Sequence, residues 1–468
     1  MGNATEWFDY GVYAATAGYL TSAFFPGSLG TLGTMLGFAV SFVLRPLGGM
    51  VWGPLGDRIG RKAVLATTIL LMSAATGAIG LLPTHATAGV LAPVLLILLR
   101  VVQGFSTGGE YGGAATYLAE CANDRKRGFL GSFLEFGTLA GFVGGSAVVL
   151  ACQLALGSDA MYAGGWRIPF LLAVPLGLTG WYLRAKLDES PVFTELSEQD
   201  SRDTPPGGLR EVLTTYRREV LTLIGLVVAL NVVNYTLLTY QPTYLQRTLG
   251  LGESTTTAMM LIGQVVMMVS LPFFGRLSDR VGRRPMWLVS LIGLTVLAIP
   301  MYMLMGLGTA WAVVAFVVLG LFYVPQLSTI SSTFPAIFPT HVRYAGFALG
   351  YNVSTALFGG TAPLVNEAVI ERTGWSLFPA GYMVAASLVG LVACAFLRET
   401  AGTSLHGTEI PATDTEAEKV AAGVAAVGTE AAAPESAAAA PEAAAPVRPI
   451  PAVSHHEPPA RPAGVAEA

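Results

Sequence analysis

The stretch RVVQGFSTGGEYGGAATYLAE, Arg100–Glu120, follows the apolar run Val90–Leu99 with no turn signal between them. Together, Val90 to Glu120 reads as one helix long enough to cross a bilayer, which takes about 20 residues. An ionisable residue inside such a span is costly and marks a functional site by default; this one carries Arg100 and Glu110. At about 100° per residue, Arg100, Gln103, Thr107 and Glu110 share a sector of about 80°. Gly104, Gly108 and Gly112 form a small-xxx-small row that admits a neighbouring backbone, with segment 129–155 as the expected neighbour. Gly104-Phe105-Ser106-Thr107-Gly108 also fits GxSxG, but a nucleophile elbow needs a strand before it and a histidine downstream. Inside a span it is an accident of the glycine row.

The whole chain supports that reading. Its 468 residues are 53% hydrophobic and 12% charged, against about a quarter charged in soluble proteins. Twelve hydrophobic segments are legible, at 4–26, 31–54, 63–82, 90–118, 129–155, 166–184, 220–245, 255–276, 286–305, 310–334, 345–368 and 377–397. The expected fold class is an all-α membrane protein of twelve transmembrane helices. Lys and Arg cluster in the even-numbered connections, from Arg58, Arg61 and Lys62 through Arg125, Lys126 and Arg127 to Arg280, Arg283, Arg284 and Arg343. The odd-numbered ones hold only Arg247 and Arg372, with Arg167 at a helix start. Positive-inside bias then places both termini in the cytoplasm.

The polar connection 185–218 divides the helices six and six, giving bundles 1–184 and 219–400. An internal repeat marks the same division. GPLGDRIGRK (Gly53–Lys62) lies between segments 2 and 3, and GRLSDRVGRR (Gly275–Arg284) between segments 8 and 9. One copy would be an ordinary basic loop; two at matching positions are a duplicated device. Asp57 and Asp279 can each pair with a cation or accept from a helix amino end. Two related halves place a substrate site near the bilayer midplane. Residues 401–468, rich in Ala, Pro, Glu and Thr, are expected to be a disordered cytoplasmic tail, and His455-His456 within it solvated filler.

The duplicated motif resembles that of the major facilitator superfamily, and the resemblance covers residues 1 to about 400. It implies two pseudo-symmetric six-helix bundles and a latch role for Asp57 and Asp279. GNATEWFDYGVY (Gly2–Tyr13), RPLGG (Arg45–Gly49), RVVQGFSTGGEYGGA (Arg100–Ala114) and DRKRGFLGSFLEFG (Asp124–Gly137) are similar to the metabolite:proton symporter branch of that superfamily. LLTYQPTYL (Leu237–Leu245) and FPTHVRY (Phe338–Tyr344) look most like its osmolyte carriers for proline and glycine betaine. Osmosensing relatives can carry a carboxy-terminal coiled coil; no apolar heptads follow Ala401 here.

The expected activity is therefore proton-coupled import of a small zwitterion by alternating access, in a bacterial-type inner membrane, by a chain that is not an enzyme and acts as a monomer. The alternatives are an organic-acid symporter, which would want a second cavity cation, a non-transporting sensor, and a drug-efflux antiporter. Arg100 suits bidentate capture of a carboxylate. Gln103, Tyr13, Asn231, Asn234 and Tyr235 complete the expected substrate site, Tyr13 and Tyr235 offering aromatic faces to a quaternary ammonium. Asp9, Glu110 and Glu135 are the candidate proton carriers, since desolvation favours a neutral carboxyl; each could instead belong to an Arg–carboxylate tie between helices. Glu6 reads as a helix-start acid, and Arg45 as structural or gating. Gating is expected of Asp57, Arg58, Arg61, Asp279, Arg280, Arg283, Glu120, Arg127 and Arg343. No metal site, nucleic-acid partner or cofactor beyond the coupling proton is expected, and no GxxxxGK[ST] is present. The partners are substrate, proton and membrane lipid.

Overall fold

Long apolar runs in lipid have one stable form here, a helix that satisfies its own backbone. The computed structural model describes residues 2–27, 30–59, 61–108, 110–186 and 209–405, and among them every regular element is helical. Span 1 is Gly2–Phe24, span 2 Gly30–Val43 with Arg45–Ile59, span 3 Arg61–Leu81, span 4 Leu91–Thr107 with Glu110–Cys121, span 5 Arg127–Ala160, and span 6 Arg167–Leu171 with Ala173–Lys186. Span 7 runs from Arg217–Tyr235 through widened turns to Thr248. Span 8 is Glu253–Val281, span 9 Arg283–Met305, span 10 Thr309–Leu327 with Ile330–Thr333, span 11 Thr340–Ser354 continuing to Ala362–Thr373, and span 12 Phe378–Ala395. Seven helices among the described residues are long and apolar enough to cross a membrane unaided, in spans 2, 5, 7, 8, 9, 10 and 12. The other spans are short, interrupted, or laden with the ionisable side chains considered below.

In span 4 the first helix ends at Thr107, Gly108 keeps right-handed helical backbone angles, and the next helix begins at Glu110. At Gly104 and Gly108 the neighbour of its glycine row is span 2, not span 5. A Cβ on Gly104 would lie 1.8 Å from the Ser41 carbonyl oxygen, and one on Gly108 2.0 Å from that of Arg45. Span 2 answers with Gly48, whose Cβ would lie 2.0 Å from the Phe105 carbonyl oxygen. Backbones this close leave no room for any side chain larger than hydrogen.

Span 5 is gripped on two sides. Span 1 lies against it through Gly141 and Gly145, where a Cβ would meet Ala4, Phe8 and Val12 backbone at 2.5–2.8 Å. Span 8 lies against its amino end, where Gly128 and Gly275 face each other. Spans 7 and 11 each widen, at Thr236–Tyr240 and Thr355–Gly359, and are laced by Asn231 donating to Thr355 (3.0 Å) and Asn366 to Thr236 (3.1 Å). Widened turns of this kind recur at functional sites.

The expected tail boundary moves. Glu399 accepts the backbone N–H groups of Arg283 and Arg284 at 2.8 and 3.0 Å, capping the amino end of span 9. Thr403 and Leu405 are buried, so the ordered chain runs past Ala401. The rest of the expected tail, 406–468, and residues 187–208 of the central connection lie outside the described residues.

Candidate functional site

Arg100 is wholly buried and donates through Nη1 to Asp9 Oδ2 at 2.7 Å. Its guanidinium lies 3.7 Å from the centre of the Tyr13 ring. Gln103, one turn along, donates to Asp9 Oδ1 at 3.0 Å and to Thr76 at 2.7 Å. Tyr13 in turn donates to the Thr34 carbonyl. The helical spacing foreseen for Arg100 and Gln103 is therefore real, and it converges on Asp9. Asp9 is held by a cation and an amide, an internal tie among spans 1, 3 and 4. The Tyr13 face foreseen for a substrate ammonium is covered by Arg100. Arg100 Nε and Nη2 and Gln103 Oε1 have no hydrogen-bond partner.

A second buried pair joins Arg45, expected to be structural or gating, to Glu6, expected to be a helix-start acid. Arg45 Nη2 donates to Glu6 Oε1 and to the Tyr10 hydroxyl, each at 2.8 Å, with side chains 4% exposed on both ends of the ion pair. The guanidinium lies 4.4 Å from the centre of the Phe42 ring. Phe42 meets Tyr235 edge-on at 4.9 Å, and Trp7 stacks on Tyr235 at 6.4 Å. Phe38 closes this aromatic box, 5.0 Å from Phe42 and 5.9 Å from Tyr235. Helical spacing on span 2, Phe38, Phe42 and Arg45, was the signal that could have found it.

Glu135 lies on span 5, 2% exposed, and among the described residues no cationic side chain pairs with it. Its carboxylate accepts from the Tyr111 hydroxyl. Tyr111 stacks on Tyr351 of span 11, ring centres 4.8 Å apart and planes 13° from parallel. Of the foreseen Asn231, Asn234 and Tyr235, Asn234 accepts from Tyr323 of span 10 at 2.9 Å, Asn231 donates to Thr355 of span 11, and Tyr235 packs against Phe42 and Trp7.

Both ends of the molecule are bridged between the halves. On the face bearing the duplicated motif, Asp279 accepts the backbone N–H groups of Gly128 and Phe129 at 2.8 and 2.9 Å, and Arg283 Nη2 at 2.7 Å. Arg127 donates to the carbonyls of Ala119 and Thr403, both at 3.0 Å, and Arg343 to that of Leu405 at 2.7 Å. Arg280 is exposed there. The side chains of Asp57, Arg58, Arg61, Glu110 and Glu120 lie outside the described residues. On the opposite face, Glu253 accepts from Tyr19 (2.8 Å) and Tyr162, and Arg247 joins Thr31 to Glu367. None of these acids was foreseen, because nothing in the local sequence distinguishes a bridging Glu from a loop Glu.

The family model described as Major Facilitator Superfamily matches residues 3–363. The chain belongs to the major facilitator superfamily. The proline/betaine transporter of Escherichia coli K12 is 42% identical over 87% of this chain and 83% of its own. The glycine betaine/proline/ectoine/pipecolic acid transporter of Dickeya dadantii is 41% identical over the same shares. Among solved structures, the proton:xylose symporter XylE of E. coli superposes with a TM-score of 0.67 at 19% identity, covering 86% of this chain and 94% of that one. That likeness establishes the superfamily fold, twelve membrane-spanning helices in two pseudo-symmetric bundles, and of the contacts just described those of Asp279 with Gly128 and Phe129, Arg127 with Thr403, Glu253 with Tyr19 and Tyr162, and Arg247 with Thr31 join the two halves.

Proposed function

We propose that this superfamily member imports a small zwitterion, such as proline or glycine betaine, together with a proton, acting as a monomer in the inner membrane with both termini in the cytoplasm. The bundles 1–184 and 219–400 rock about the central site, joined by the connection 185–218. The observation that carries the proton reading is Glu135. It is a buried carboxylate at the seam between bundles, without a cation among the described residues to hold it ionised, hydrogen-bonded by a phenol that stacks on the opposite bundle. Of the other foreseen carriers, Asp9 is bound into the Arg100 tie. A proton on Glu135 removes the charge that Tyr111 serves, and so changes what holds Tyr111 against Tyr351. The names of the relatives, at about 42% identity, support proline and betaine as substrates, and the box of Trp7, Phe38, Phe42 and Tyr235 offers the aromatic faces that a quaternary ammonium favours. The basic motif face is cytoplasmic by the positive-inside bias. Asp279, Arg283, Arg127 and Arg343 act as its lock.

Purified protein in proteoliposomes, with the outside more acidic, is expected to accumulate labelled glycine betaine or proline, and to lose that accumulation when a protonophore collapses the gradient. Uptake that ignores the protonophore, or that is confined to di- and tricarboxylates, would overturn this reading.

A further inference from the structure

Two buried arginines could hold the substrate's carboxylate, and their surroundings differ. The Arg100 tie draws only on spans 1 to 4, through Asp9, Tyr13, Thr34, Thr76 and Gln103. Nothing in it is uncovered when one bundle moves against the other. Arg45 instead stands on an aromatic shelf built by both bundles. Phe42, under its guanidinium, touches Tyr235 of span 7, and a Cβ on Gly360 of span 11 would collide with the Phe42 side chain. Arg45 Nε has no hydrogen-bond partner although the residue is 3% exposed. A guanidinium has five N–H donors in a planar fork, and a carboxylate takes two of them side by side.

The counter-ion also has somewhere to go. Glu6 borders a small cavity of mixed lining between spans 1, 3 and 4, with Ile69 and Met72 beside the hydroxyls of Thr5, Thr68, Ser73, Ser106 and Thr107, and with room for about one water. The Ser73 hydroxyl on that wall is buried and has no partner. It can donate to a carboxylate that swings off Arg45, so the cavity supplies hydrogen bonds to an anion that would otherwise be stranded.

We infer that Arg45 is the anchor for the substrate's carboxylate, and that Glu6 is its resting counter-ion, displaced toward the Ser73 cavity when substrate binds. One carboxylate replaces another on the same guanidinium, so the charge at Arg45 is unchanged and the proton on Glu135 is separate from the exchange. The substrate's ammonium end takes the faces of Trp7 and Tyr235, which part when the bundles do. The inference rests on the zwitterion reading above and assigns the role foreseen for Arg100 to a different residue.

Equilibrium binding of labelled glycine betaine to the purified full-length chain tests it. Glu6→Gln removes the competing anion while keeping the side chain's shape, and is expected to tighten binding about tenfold. Arg45→Gln is expected to weaken it at least thirtyfold. Because Arg45→Gln leaves Glu6 buried without its cation, the double variant Glu6→Gln/Arg45→Gln, neutral at both ends, is measured beside it and is expected to bind as poorly. Choline, which lacks the carboxylate, is expected to bind wild type and both Arg45 variants alike. Unchanged or weaker betaine binding by Glu6→Gln, or wild-type binding by the double variant, would overturn the inference while leaving the transport reading intact. Wild type that binds neither betaine nor proline would take down both.

Discussion

Asp279 closes the amino end of span 5 by accepting the Gly128 backbone N–H at 2.8 Å. The acceptor belongs to one bundle and the donor to the other, so the bond cannot survive separation of the two at that face. Phe129 adds a second N–H at 2.9 Å, and the carboxylate faces the positive end of the helix dipole. Asp279→Asn keeps the shape and removes the charge. Hydrogen bonds to a charged acceptor contribute about 1.5–3 kcal/mol, so the equilibrium is expected to move about tenfold or more toward the state open on the motif face. Spin-label distances between the amino end of span 5 and the carboxy end of span 8 report it; an unchanged distribution would count against the lock.

Glu135→Gln keeps the acceptor for Tyr111 but cannot take up or release a proton. Accumulation driven by a pH gradient is expected to be lost, by a hundredfold or more, while exchange of labelled for unlabelled substrate persists. The sign with pH follows from the role. Wild-type uptake should fall as the outside is made alkaline, because the carrier is loaded only when protonated, whereas exchange by the variant should be flat. Parallel loss of both activities would make Glu135 a structural residue.

Arg100 and Asp9 are buried together at 2.7 Å. Removing one partner of such a pair costs about 3–5 kcal/mol, whereas replacing both with apolar side chains is often neutral. Asp9→Leu is therefore expected to lower the melting temperature in detergent sharply, and Asp9→Leu/Arg100→Met to restore much of it. If the double variant also transports, the pair is a tie; if it is stable and inactive, Arg100 has a further role in the cycle.

Truncation separates two parts of the carboxy terminus. A stop after Leu405 keeps the Glu399 cap and the acceptors of Arg127 and Arg343, and is expected to leave basal uptake unchanged. A stop after Arg398 removes all three and is expected to weaken closure of the motif face, seen as faster proteolysis there and a lower uptake rate. Equal behaviour of the two truncations would show that residues 399–405 have no part in the lock.

Much of this architecture was legible, and the reasons are physical. Apolar length and the positions of Lys and Arg speak directly to a bilayer, so the spans and the bundle division could be read from composition. Period 3.6 brought Arg100 and Gln103 to one face, and the structure has them meet Asp9. Two kinds of information were not in the pattern. Which helix a face meets is a matter of tertiary packing: the Gly104–Gly108 row was assigned to span 5 and meets span 2. Whether a charge is engaged is likewise invisible locally. Glu6 looked like a helix-start acid until Arg45, 39 positions away, was found bonded to it, and Glu253 and Glu367 find their partners 234 and 120 positions away.

The two doors are made of different materials. The motif face closes on peptide groups, the N–H groups of Gly128 and Phe129 and the carbonyl of Thr403. The opposite face closes on side-chain hydroxyls: Tyr19 and Tyr162 donate to Glu253, and Arg247 donates to Thr31. Side-chain substitution can therefore strip a bond from one door, as Tyr19→Phe would, whereas the peptide N–H groups that close the other are lost only to proline.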